Sequence, residues 1–263
     1  MPTTYAHYSF GKKVLENLNP EIKELITGHL PLFYLGLHGP DILFYYNPLH
    51  ANPIIQAGDR LHKKNADEFF KMARSIIQKC PDPDAATSYI LGFICHFMLD
   101  SECHPYIEEK VVSTGISHAE IEMEFDRALI VEDGLNPLAF RPTGHLNPDI
   151  ANAECISWFF KAISKKQILS ALKSMKAYLN LLVAPGILKR NFIIAALRIT
   201  GNYDHMIGLM VKHEPNPACA DTCNTLKILS SATVCPTVKM LHEYHSNLNN
   251  SEKLSSRFSR NYL

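Results

Sequence analysis

His96-Phe97-Met98-Leu99-Asp100-Ser101-Glu102-Cys103-His104, followed by His118 and Glu122, is the stretch on which the reading of this chain turns. The run that contains it, residues 85–104, is strongly apolar and reads as a buried helix. On such a helix His96, Asp100 and His104 share one stripe, each displaced by about 40° from the last. The helical rise sets His96 and His104 about 12 Å apart. A single ion with ligand bonds of about 2 Å does not reach both. The stripe therefore predicts two or more neighbouring metals with the Asp100 carboxylate between them. His118 and Glu122 repeat the four-residue spacing. Folding their helix back against the first brings His104 alongside. Two imidazoles and one carboxylate leave a fourth position open, the arrangement of a catalytic zinc.

Outward from this stretch the pattern is helical almost throughout. Pro20 to His29 reads as a short helix with proline in its first turn. Residues 62–79 read as one amphipathic helix that His62 begins. Pro105 is expected to stop the next helix at His104. Ser117-His118-Ala119-Glu120 fits a capping box for a helix running to about residue 132. Further helices are expected at 149–164, 167–182, 187–199, 203–213 and 221–245. No strand alternation and no internal repeat stands out. The prediction is an all-α protein with one helical domain over 1–246 and a mobile, polar tail over 247–263 without chemistry. The proline- and glycine-rich segment 134–148 reads as a surface connection or a loop on the substrate side.

Composition narrows the class. The 263 residues hold 26 basic and 26 acidic side chains. Zero net charge argues against general attraction to nucleic acid or an anionic membrane. Thirteen histidines suit metal binding. Seven scattered cysteines do not form a disulfide framework and are expected to be reduced. Neither a signal peptide nor an apolar run of about 18 residues is present, so no transmembrane segment and a cytoplasmic location are expected. Nucleophile elbows and phosphate loops are missing. His242-Glu243-Tyr244-His245 has the wrong spacing for a zinc protease, and Cys219 and Cys223 lack the spacing of a zinc ribbon. Asp204-His205 runs in the reverse order to an HD-type phosphohydrolase pair.

Taken in order, His7, Asp41, His62, His96, Asp100, His104, His118 and Glu122 resemble the ligand series of the zinc-dependent phospholipase C family, whose superfamily includes secreted single-strand nucleases. The resemblance covers about residues 1–130. It implies an all-α fold with a cluster of zinc ions between helices, two or three per chain. It assigns Asp41, His62, His96 and Asp100 to one zinc and His104, His118 and Glu122 to a second. His7 and the shared Asp100 go to a third. Two departures accompany it. Secreted members have two more residues between the central aspartate and the next histidine. They also use an N-terminal tryptophan on the third zinc, whereas the single tryptophan here is Trp158. Met1 precedes Pro2, and its removal leaves Pro2 five residues before His7. The Pro2 amine and carbonyl are therefore expected to complete the third site. The implied activity is hydrolysis of a phosphodiester or phosphate ester, with Asp41 both a ligand and the group that orients or deprotonates water. A phospholipid or a small phosphodiester is the expected substrate, without stable nucleic-acid binding. The alternatives are a single-strand nuclease or nucleotidase of the same superfamily, or a non-enzymatic relative that binds metal or lipid.

Overall fold

The structure, a computed structural model, describes residues 4–201, 203–250 and 253–263. Within them the chain is all-α, with no strand. The helices are α1 (Thr4–Glu16), α2 (Pro20–Gly28), α3 (Leu30–Gly36), α4 (Pro53–Lys63), α5 (Ala66–Ile77) and α6 (Pro83–Thr114). There follow α7 (His118–Glu132), α8 (Ile150–Ser157), α9 (Lys165–Leu182), α10 (Ile187–Ile199), α11 (Tyr203–Met206) and α12 (Ala220–Ser246). Three of them start on the same local chemistry. The side chains of Asn19, Asn52 and Asp82 accept backbone N–H groups of the first turns of α2, α4 and α6. The proline after each takes the first helical position, where no N–H is needed.

Helix α6 is the hub, and nearly every side chain from Ala85 to His104 is buried. Helix α3 crosses it with backbones touching. A Cβ on Gly92 would stand 2.1 Å from the Phe33 carbonyl oxygen, and one on Gly36 would stand 2.1 Å from that of Tyr89. Only glycine at both positions allows this approach. The crossing delivers the following 3-10 turn, Gly39–Tyr45, onto the middle of α6. Gly39, at φ 44°, lies so close that a Cβ would sit 2.3 Å from the His96 ring.

Pro105 does not end α6, which continues to Thr114. A proline inside a helix leaves the carbonyl four residues earlier without its donor, here Ser101. That carbonyl accepts from Arg260 Nη2 at 2.8 Å, so the helix carries the proline without an orphaned group. Gly115 ends the helix in the left-handed conformation and bonds back to the Val111 carbonyl. Ser117 then caps α7 by accepting the Glu120 N–H, which is half of the expected capping box; the Glu120 carboxylate turns instead to Lys212 and Asn216. The single helix expected over 62–79 is two helices, and His62 lies near the end of α4 rather than at a start. Helix α8 is shorter than expected, and residues 203–213 form one turn of α11 followed by a 3-10 turn over Ile207–Leu209.

The chain end also departs from expectation. Phe258 and Tyr262 are buried in the main core, where Phe258 packs on Phe70 and Phe97 and Tyr262 on Phe97. Arg257 and Arg260 both pair with Glu102. Burial of two aromatic rings outweighs the polar composition that suggested a mobile tail. A second, smaller core of Leu182, Ala184, Ile193, Leu197, Leu209 and Met210 lies under α10.

Candidate metal centre

Among the described residues, three groups bring potential ligand atoms within 4.8 Å of one another. They are His7, His96 and Asp100; Asp41, His62 and His96; and His104, His118 and Glu122. Eight of the nine residues singled out by sequence thus converge. The ninth, Pro2, lies outside the described residues, as do the side chains of Asp204 and His205.

Five elements bring the eight residues to the centre. His7 comes from α1, Asp41 from the 3-10 turn, His62 from α4, the stripe from α6 and the last pair from α7. Asp100 is central. Its Oδ1 lies 3.1 Å from His7 Nε2 and 3.6 Å from His104 Nε2, while its Oδ2 lies 2.9 Å from His96 Nε2. Asp41 Oδ1 is 2.9 Å from His62 Nε2, and its Oδ2 is 3.8 Å from His96 Nε2. Glu122 Oε1 is 3.4 Å from His104 Nε2 and 3.2 Å from His118 Nε2. Ligands on a tetrahedral zinc are about 3.4 Å apart. Every separation lies near that value.

The outer nitrogens show how the rings are aimed. His62 Nδ1 faces the Gly58 carbonyl at 2.9 Å, His104 Nδ1 the Tyr262 carbonyl at 2.7 Å and His118 Nδ1 the Glu108 carboxylate at 2.6 Å. An oxygen on Nδ1 fixes the tautomer that presents a bare Nε2, the usual support of a metal-binding imidazole. His96 Nε2 is buried and, although close to Asp100, makes no well-formed hydrogen bond. A buried nitrogen in that state fits a ligand atom better than a structural hydrogen bond. The donor set, all imidazole and carboxylate, suits zinc.

The electrostatics agree. Burial pushes the Asp100 carboxyl up, but the charges of His96, His104 and His7 outweigh it and hold it well below the usual range. Glu122 and Asp41 are likewise lowered against their burial. Burial opposes protonation of His104, yet Asp100 and Glu122 raise it to about 9. Such clustered negative charge attracts a cation. A cavity of about 200 Å³ reaches the centre, lined by Asp41, His62, Asp100, His104, His118 and Glu122 with Phe44, Asp59, Lys63, Glu108 and Leu263 at its rim.

Several supporting residues are not among those the sequence singles out. Asp126 accepts the backbone N–H groups of Tyr5 and Ala6 at 2.9 and 2.7 Å, which pins the start of α1 and thereby His7. Burial pushes its carboxyl up to about 7 against those two bonds. His38 and His145 meet Nε2 to Nε2 at 2.7 Å, and His145 stacks on Tyr8. Burial lowers both, to about 3 for His145, so the pair is a neutral hydrogen bond. It ties segment 134–148 to the wall of the site. The only periodic clue to any of these is Asp126, one further helical step from His118 and Glu122.

The fold and this site define an all-α protein with a multi-histidine, multi-carboxylate centre of the kind that holds zinc. The zinc dependent phospholipase C family matches residues 6–179, about two thirds of the chain, and the protein belongs to that family. No curated protein and no solved structure matches it.

Proposed function

We propose that the protein is a zinc-dependent hydrolase of a phosphodiester or phosphate ester, with phospholipase C-like chemistry at a centre of two or three ions. The observation that carries this reading is the cavity. It is lined by carboxylates and imidazoles from two of the ligand groups at once, with Asp100 between them. When bound, the metal supplies positive charge for phosphoryl oxygens and lowers the pKa of a bound water. Asp41, oriented by His62, stands at the cavity wall where it accepts a hydrogen bond from the attacking water and takes its proton. Asp100 spans the groups through its two oxygens. His104 and Glu122, locked by Tyr262 and His118, hold the opposite wall. Lys63 at the rim, paired with Asp59 at 2.8 Å, offers a cation to a phosphate that displaces that carboxylate.

The rim charges Asp59, Lys63 and Glu108 are two acids and one base, which supports a compact phosphoester over a long polyanion. Access through the cavity supports an enzyme over an enclosed structural metal site. The Pro2 amine and carbonyl remain the proposed completion of the third site. The seven free cysteines support a reducing compartment.

The test is elemental analysis of the purified protein together with hydrolysis of phosphodiesters and dispersed phospholipids, with and without chelator. Two to three zinc equivalents and chelator-sensitive hydrolysis are expected. Less than one equivalent, or hydrolysis that survives chelation, overturns the reading.

A further inference from the structure

We infer that α10 is a docking surface for an anionic lipid bilayer. Helix α10 buries only Ile193 and Leu197, both in the smaller core. On its outer side Leu188, Phe192 and Ile199 are 88%, 76% and 87% exposed. Helical geometry places these three and the exposed Ala195 within an arc of about 60°, and the stripe runs about 16 Å along the axis. Lys189 and Arg198 fall on either side of it, each about 80–100° away. An apolar stripe bordered by basic residues is the pattern of a helix that lies in a lipid interface, with cations among headgroups and apolar chains below them.

Charge supplies the second observation. The chain is neutral overall, yet residues 155–203 contain eight lysines and arginines and no acidic residue. The remainder is correspondingly acidic. Seven of the eight lie on α9 and α10, three of them, Lys189, Arg190 and Arg198, on α10 itself, so the neutral total hides a basic segment and the expectation of no membrane attraction drawn from it does not hold for this part. Lys189 donates to the Val183 carbonyl at 2.6 Å, and the Arg198 guanidinium lies 4.9 Å over the Tyr203 ring. Both contacts anchor the side chains and leave their charges intact. Anionic headgroups complement this surface. Among the described residues no helix is long and apolar enough to cross a membrane, so the contact is peripheral.

The position suits the site. Beneath α10, Gly208 approaches Ala119, the neighbour of His118, so closely that a Cβ there would lie 3.1 Å from the Ala119 Cβ. The stripe is thus carried by the layer that packs beside the His118 wall of the cavity. The inference takes up the phospholipid branch of the proposed function and rests on it for the purpose of docking, while docking itself is measured without hydrolysis.

The experiment is co-sedimentation of the zinc-loaded protein with vesicles of phosphatidylcholine alone and of phosphatidylcholine mixed with phosphatidylserine. Binding to the mixed vesicles is expected, reduced at least about tenfold in Leu188→Asp/Phe192→Asp. Lys189→Gln and Arg198→Gln are each expected to weaken it about fivefold. Ile228→Asp, at an exposed apolar site on α12, controls for general loss of surface apolarity and is expected to bind as the parent does. Hydrolysis of a soluble short-chain phosphoester should be equal in the parent and in the double variant. Failure to bind anionic vesicles at low salt, or binding unchanged in the double variant, overturns the inference. So does a dimer in ultracentrifugation that the double variant dissolves while vesicles are ignored. Absence of all phosphoester hydrolysis with vesicle binding intact sinks the proposed function instead.

Discussion

Helices α6 and α10 are both rich in apolar residues, and they use them in opposite ways. From Ala85 to His104, α6 buries almost every side chain and places three ligand-type residues among them. Helix α10 buries two side chains and turns a phenylalanine, a leucine and an isoleucine outward. The family match includes α6 and stops before α10. In α6, apolar packing is the support that holds charged groups at separations a metal requires. In α10, Ile193 and Leu197 hold the helix to the smaller core while Leu188, Phe192 and Ile199 stay exposed. The same composition thus serves a rigid centre in one place and a free surface in the other, and only packing separates the two.

The comparison breaks first at Asp100. Asp100→Asn removes the carboxylate that faces His7, His96 and His104, so more than one zinc equivalent should be lost and hydrolysis should fall about a thousandfold or more. Loss of a single equivalent in elemental analysis would mean that Asp100 does not bridge. Next comes pH. His104 is raised to about 9, so in the metal-free protein it favours the folded state below its unfolded value, and that contribution is lost as pH rises through about 9. A metal ion held by His104 would displace that proton. Affinity should climb about tenfold per unit from pH 6.5 toward 9 if one proton is released. Chelator competition at several pH values checks this, and a flat profile would mean that neither His104 nor the other raised histidines, His7, His62 and His118, yield a proton to the metal.

Effects on stability are smaller and differ between the two regions. Asp126→Ala leaves the N–H groups of Tyr5 and Ala6 unpaired in the buried wall and should cost about 3 kcal/mol in urea unfolding, with occupancy of the His7 site falling in parallel. Arg260→Ala uncovers the Ser101 carbonyl opposite Pro105 and releases a partner of Glu102. A loss of about 1–2 kcal/mol is expected, discounted for a side chain that is partly in solvent. If thermal unfolding is unmoved, Pro105 is accommodated some other way. Phe192→Ser, which deletes a large apolar ring from α10, should change stability by no more than about 0.5 kcal/mol. A cost of the size seen for a core residue would show that the α10 stripe is packed after all.

The legible and illegible parts of the site divide by sequence distance. His96, Asp100 and His104, and then His118 and Glu122, are periodic on single helices, and period alone puts each set on one face. His7, Asp41 and His62 have no such support, and only resemblance to a family nominates them. Asp126 meets Tyr5 across 121 residues, His38 meets His145 across 107, and Tyr262 meets His104 across 158. No local pattern encodes such pairs. Pro105 shows the limit of a local rule, since a breaker is tolerated when Arg260, far along the chain, satisfies the carbonyl it exposes. Tyr262 shows the same for composition, because the polar segment around it contains enough aromatic surface to dock.

By itself the sequence determined the all-α class, the stripe on α6 and its echo on α7, because helical periodicity is written into residue spacing. Tertiary structure alone decided which elements close over that stripe and which side chains steady it. It also decided that the C-terminal segment belongs to the centre, and that α10 faces outward. The physical reason is that a backbone period acts over a few residues, whereas burial, hydrogen-bond satisfaction and the pairing of charges depend on which distant parts of the chain finally touch.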